Sequence, residues 1–126
     1  MKLFLLASLG GAIGAGLRYL TYVACGQWLS ADFPWATLIV NIVGSFLMGA
    51  VTAAFVPYFG SSVAMRTFLA TGILGGFTTF SAFSLDAITL YENDSHIGLA
   101  LYLVGSILLS ILALLVGIGV VRMSLR

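Results

Sequence analysis

Charge is the scarcest ingredient of this chain. Its 126 residues include five Lys or Arg and four Asp or Glu, 7% of the sequence, against 61% apolar side chains. So few charged groups cannot cover a water-soluble domain of this length, and the mean hydropathy of +1.17 agrees. The basic residues are scattered, which leaves no patch for nucleic acid. The single cysteine, Cys25, excludes an intrachain disulfide and cannot alone build a zinc site. Its expected use is as a small apolar packing residue. The single histidine, His96, falls in a loop, and no nucleophile has a base placed with it, which argues against an enzyme.

What is abundant is long apolar runs at helical length. The chain reads as one transmembrane domain over residues 1–126, with four helices at about 3–24, 35–56, 65–91 and 97–121. The connections are short: Ser30 to Pro34 with Asp32, a Pro/Gly/Ser turn from Pro57 to Ser62, and the polar stretch Glu92-Asn93-Asp94-Ser95-His96. Lys2, the following apolar run and Val23-Ala24-Cys25 imitate a signal peptide or lipidation site. Arg18 inside the apolar run and Tyr22 close before the cysteine speak against that, so the segment is read as a mature first helix.

The third run is long. As one straight helix, its 27 residues would reach about 40 Å, more than a bilayer core requires. Its middle is Gly75-Gly76-Phe77-Thr78-Thr79-Phe80-Ser81-Ala82-Phe83-Ser84, poor material for an uninterrupted lipid-facing helix. A break near 75–79 is expected. Non-helical backbone at membrane depth is tolerated where protein buries it or where it lines a cavity, so the break points to a site for ions or small solutes. Its freed carbonyls suit a hard cation. Phe80 and Phe83, three residues apart, share one face just beyond it, either as packing or as ring edges, electropositive at the rim, presented to a small anion. Thr79, Ser81 and Ser84 add hydroxyl donors, and Asp86 is expected as an interfacial cap.

The other spans carry matching features. In the first, Gly10, Gly11, Gly14, Ala15 and Arg18 fall on one face. Small residues there let helix backbones approach closely. Arg18 is either a snorkelling side chain that reaches the interface or a fixed positive charge that concentrates anions. In the second, Asn41, Ser45, Gly49 and Thr52 form a stripe, with Thr37 a turn before. Asn41 either bonds a neighbouring helix or donates to a passing anion. In the fourth, Ser106, Ser110 and Gly117 share a face, and serines in such helices often bond back to their own backbone.

Three blocks together carry a family resemblance. Gly10-Gly11-Ala12-Ile13-Gly14-Ala15-Gly16-Leu17-Arg18-Tyr19, Thr37-Leu38-Ile39-Val40-Asn41-Ile42-Val43-Gly44 and the third-span stretch from Gly75 to Ser84 resemble, in order, the signature blocks of the Fluc (CrcB) fluoride channels. The resemblance implies an antiparallel, dual-topology homodimer in the plasma (inner) membrane of a bacterium or archaeon, with two fluoride pores and a structural sodium ion. By position, Asn41 would be the pore amide, and Phe80 and Phe83 the rings whose edges line the path. Main-chain oxygens of Gly75 and Thr78 would hold the sodium. Thr79, Ser81 and Ser110 would lie along the pore, with Arg18 in the vestibule region. The implied activity is passive fluoride export, with donors and ring edges replacing the ion's tightly held water.

Three positions depart from the family pattern. Ala82 stands where Thr is usual between the aromatics, Asp86 where Glu is common, and Leu114 where some members carry Thr. Orientation draws two answers. Lys2, Arg66, Arg122 and Arg126 share the side of the termini, opposite Asp32, Glu92 and Asp94, so positive-inside reasoning puts the termini in the cytoplasm. The resemblance implies both orientations. Two rival functions are a small four-helix drug or cation exporter and a non-transporting subunit of a membrane complex. The exporter needs an acid in its first helix, where this chain has Arg18. The subunit has no need of a broken span.

Overall fold

The computed structural model describes every residue from Met1 to Arg126. Helix α1 spans Lys2–Trp28 and α2 spans Trp35–Phe59. The third span is composite. A short helix α3, Val63–Arg66, runs into a π-helical stretch, Thr67–Leu74, and then α4, Gly75–Phe77. Thr78 and Thr79 are extended, and α5 resumes at Phe80–Glu92. Helix α6 covers His96–Ser124. The chain thus has four segments long and apolar enough to cross a membrane, the third bent at its centre.

The helices outrun the apolar stretches that announce them. Helix α1 continues through Cys25, Gly26 and Gln27, and α2 passes Pro57 to end at Gly60 in the left-handed conformation. Hydropathy reports what lipid accepts, whereas a helix ends where its hydrogen bonds end, and proline in the last turn breaks few of them. The turn into α3 is closed by Ser62, whose side chain accepts from the Met65 N–H at 3.3 Å.

Backbone contact at glycine holds the bundle together. A Cβ added at Gly10 would come within 2.5 Å of the Phe68 carbonyl, and one at Gly14 would collide with the Ile73 carbonyl. Gly72 and Gly76 meet α1 in the same way, through Gly10 and Gly11. The π-helical stretch lies along this seam. Gly49 of α2 rests on the Leu114 carbonyl, and Gly117 of α6 rests on that of Phe46. In lipid there is no hydrophobic drive between helices, so such close approach supplies the cohesion. Few side chains are buried, with Thr37, Val40 and Tyr102 the most enclosed, and the remaining apolar surface faces outward.

Candidate functional site: a groove beside a broken helix

The break is built by side chains standing in for backbone. Asn41 faces Thr79 with both ends of its amide: Oδ1 accepts from the Thr79 N–H at 2.9 Å, and Nδ2 donates to the Thr79 carbonyl at 3.0 Å. Thr79 in turn caps α5, its Oγ1 accepting from the Ala82 N–H at 3.1 Å. Thr78 turns backward, its N–H and hydroxyl both donating to the Leu74 carbonyl at 3.0 and 2.9 Å. Three of the four backbone groups of these two extended residues are satisfied in this way without water, and the Thr78 carbonyl is left free.

Next to the break lies a groove of about 350 Å³. Asn41, Gly44, Ser45 and Met48 of α2 form one wall, and Ser106, Ile107, Ser110, Ile111 and Leu114 of α6 form another. Thr78, Thr79, Phe80 and Phe83 close the end at the break. The glycine contacts set the register between α2 and α6, Gly49 lying against Leu114 and Gly117 against Phe46. Asn41 and Ser106, Ser45 and Ser110, and Met48 and Leu114 line the same groove. The groove passes from polar to apolar over eight residues of α2 and nine of α6, about 12 Å. None of its lining residues is ionisable.

Its donors differ in how free they are. Asn41 gives one amide hydrogen to Thr79 and keeps a second. Ser106 is buried, and its Oγ has no hydrogen-bond partner. Such an orphan is costly in an apolar setting and marks where a polar guest would be welcome. Sequence reasoning expects such a serine to bond back to its own helix. The available signal is the spacing of Ser106, Ser110 and Leu114, each four residues on, which runs one stripe along the groove.

Aromatic rings continue the wall. Phe80 and Phe83 lie 5.5 Å apart at 41°, and Phe83 lies 5.2 Å from Tyr102. Phe80 projects from the bundle, 79% exposed. The Tyr102 hydroxyl donates to Asp86 at 3.0 Å, so Asp86 ties α5 to α6 rather than capping a helix at the interface. Asp86 also lines a polar opening of about 470 Å³ with Asp32, Thr89, Asn93 and Ser95.

The remaining predicted residues fall in different places. Asn41, Thr79, Phe80, Phe83 and Ser110 meet in the groove, and Thr78 touches it. Ser81 does not line it; its hydroxyl sits 3.3 Å from that of Thr79. Ser84 is bonded to its own helix at the Phe80 carbonyl. Arg18, half-buried on α1 one turn beyond Gly14, lies outside the groove. His96 and Asp94 make an exposed contact at 3.9 Å, away from the groove. Gly75 is exposed at the start of α4, where an added Cβ would meet only the Ala70 carbonyl, at 3.6 Å.

Comparison with known proteins gives this arrangement a context. The family profile described as CrcB-like protein, Camphor Resistance (CrcB), matches residues 5–118. The chain belongs to the CrcB family. It is 50% identical over 118 residues to the fluoride-specific ion channel FluC of Chelativorans sp. (strain BNC1), with 94% of each chain covered. The CrcB relative from Rhodospirillum centenum, also named fluoride-specific ion channel FluC, is 43% identical over 122 residues, covering 97% of each. That of Rhizobium meliloti, named likewise, is 47% identical over 122 residues, covering 97% of this chain and 98% of its own. These CrcB relatives are named as channels and not as enzymes.

Proposed function

We propose that this chain is a fluoride channel that lets the ion leave the cell passively across the inner membrane of a bacterium. The observation that carries the reading is the uncharged groove in which the free Asn41 amide hydrogen, the unpartnered Ser106 hydroxyl and the Phe80–Phe83 pair meet beside a helix break. Fluoride holds its water tightly, so a pore must offer donors in exchange. Neutral donors and ring edges do this without a fixed positive charge that would trap the ion. Asn41, Ser106, Ser110 and Thr79 are the polar stations and Phe80 and Phe83 the dry ones. Ser81 lies beside Thr79, and Arg18 contributes long-range attraction at the vestibule. A cation exporter is less well served, because the groove contains no acid to exchange a proton.

The working unit is an antiparallel homodimer with two pores. In its support, the groove is open along one side, and Phe80 and Gly75 are exposed where a second copy would cover them. The few charges outside the spans give only a weak orientation bias, which suits a protein inserted both ways. A structural sodium ion would be held by the main-chain oxygens of Gly75 and Thr78. The donor set fits: hard carbonyl oxygens at a break that separates them from their helical partners. When bound, the ion would tie the break in place.

The decisive test is ion efflux from liposomes holding the purified protein, with fluoride and chloride compared. The native chain is expected to release fluoride rapidly and retain chloride, and Asn41→Asp to release neither. A folded native protein that releases no fluoride would overturn the channel reading in favour of a non-transporting subunit.

A further inference from the structure

The hydrogen bonds at the break assign a second task to two residues of the groove. In a continuous helix each N–H donates to the carbonyl four residues back, so the Thr79 N–H would occupy the Gly75 carbonyl and the Ala82 N–H that of Thr78. Neither does. Asn41 Oδ1 takes the first donor and Thr79 Oγ1 the second. The extended Thr78 and Thr79 separate every carbonyl from Gly75 to Thr78 from the donor four residues on. At Gly75 and Thr78, the two that the preceding reading gives to sodium, that donor is held by a side chain instead.

We propose that Asn41 and Thr79 are positioning residues for the cation site, creating it by intercepting the two N–H groups that would otherwise fill it. The groove and the cation site then share parts. The same Asn41 amide keeps a free hydrogen toward the groove, and through its oxygen it holds the third span broken. Thr79 is buried at the junction, too enclosed to serve as a solvated cap. Its extended backbone, with φ −153° and ψ 120°, is what Asn41 grips from α2. The Asn41 carbonyl oxygen is the part that matters for the cation, and its amide nitrogen the part that matters for the anion.

This inference rests on the sodium reading of the proposed function, and the test separates the two. Thermal unfolding of the purified protein is followed in sodium chloride and in N-methylglucamine chloride at equal ionic strength, so no ion flux is involved. Native protein and Thr79→Ser, which keeps the hydroxyl, are expected to melt higher in sodium. Thr79→Val, of nearly equal shape, is expected to lose that increment. Asn41→Asp keeps an oxygen for the Thr79 N–H and is expected to keep the sodium response while losing fluoride efflux; Asn41→Leu is expected to lose both. If Thr79→Val does not yield folded protein, the Asn41→Asp and Asn41→Leu pair decides. A sodium response undiminished in Thr79→Val or Asn41→Leu overturns the inference alone. A native protein indifferent to sodium overturns the cation reading and this inference with it.

Discussion

The two halves of the third span are built on opposite principles. Up to Phe77 the chain is clamped, its π-helical stretch and α4 pressed backbone to backbone against the glycine face of α1. From Phe80 onward it is displayed. Phe80, Leu85 and Ile88 are mostly exposed, and α5 is moored to α6 chiefly through Phe83 and Asp86, which both reach Tyr102. One half is therefore positioned by backbone shape and the other by a few side chains. Presentation of rings to a path and a partner requires freedom on one side, and the clamped half gives that side a fixed base.

Substitutions bearing on each half test this contrast. The largest effect is expected for Gly14→Val, whose Cβ alone would collide with the Ile73 carbonyl and crowd the Phe77 N–H. The cost is about 3 kcal/mol, at the upper end for overpacking, and would be read as a lower melting temperature and loss of a monodisperse peak in detergent. Tyr102→Phe is intermediate. It deprives Asp86 of its hydroxyl partner at a cost of about 1–3 kcal/mol, seen by denaturation, and leaves the α1 seam intact. Phe80→Ala is smallest for stability, within about 0.5 kcal/mol for so exposed a ring. Its efflux of fluoride from liposomes should nevertheless fall by about three- to tenfold, the worth of a ring-edge contact of about 0.5–1.5 kcal/mol. A Phe80→Ala protein that melts as low as Gly14→Val would erase the distinction between the halves.

Much of this arrangement is legible in the chain itself, for physical reasons that differ from place to place. The four spans follow from apolar length, because lipid tolerates nothing else. The break follows from Gly75-Gly76 and Thr78-Thr79, residues that favour a helix poorly. Asn41 stands out as an amide in an apolar run, although its grip on Thr79 does not, since a partner 38 residues away is set by helix rotation. The π-helical stretch from Thr67 to Leu74 leaves no local mark, because its register answers to the glycines of another helix. The free hydroxyl of Ser106 is hidden for the opposite reason. Bonding back to its own helix is the local default, and only the view across to Asn41 reveals a serine that does otherwise.

The grip of Asn41 on Thr79 also bears on how the protein is made. A newly inserted third span, alone in lipid, has every reason to remain a continuous helix, since each unpaired backbone group there costs several kcal/mol. Its discontinuity becomes affordable only when an amide from another span arrives to receive the Thr79 N–H and donate to its carbonyl. Synthesis runs from the N-terminus, so α2 is already in the bilayer when the third span emerges beside it. Biogenesis thus delivers the splint before the fracture, and the bend at the centre of the bundle is a product of assembly within the membrane.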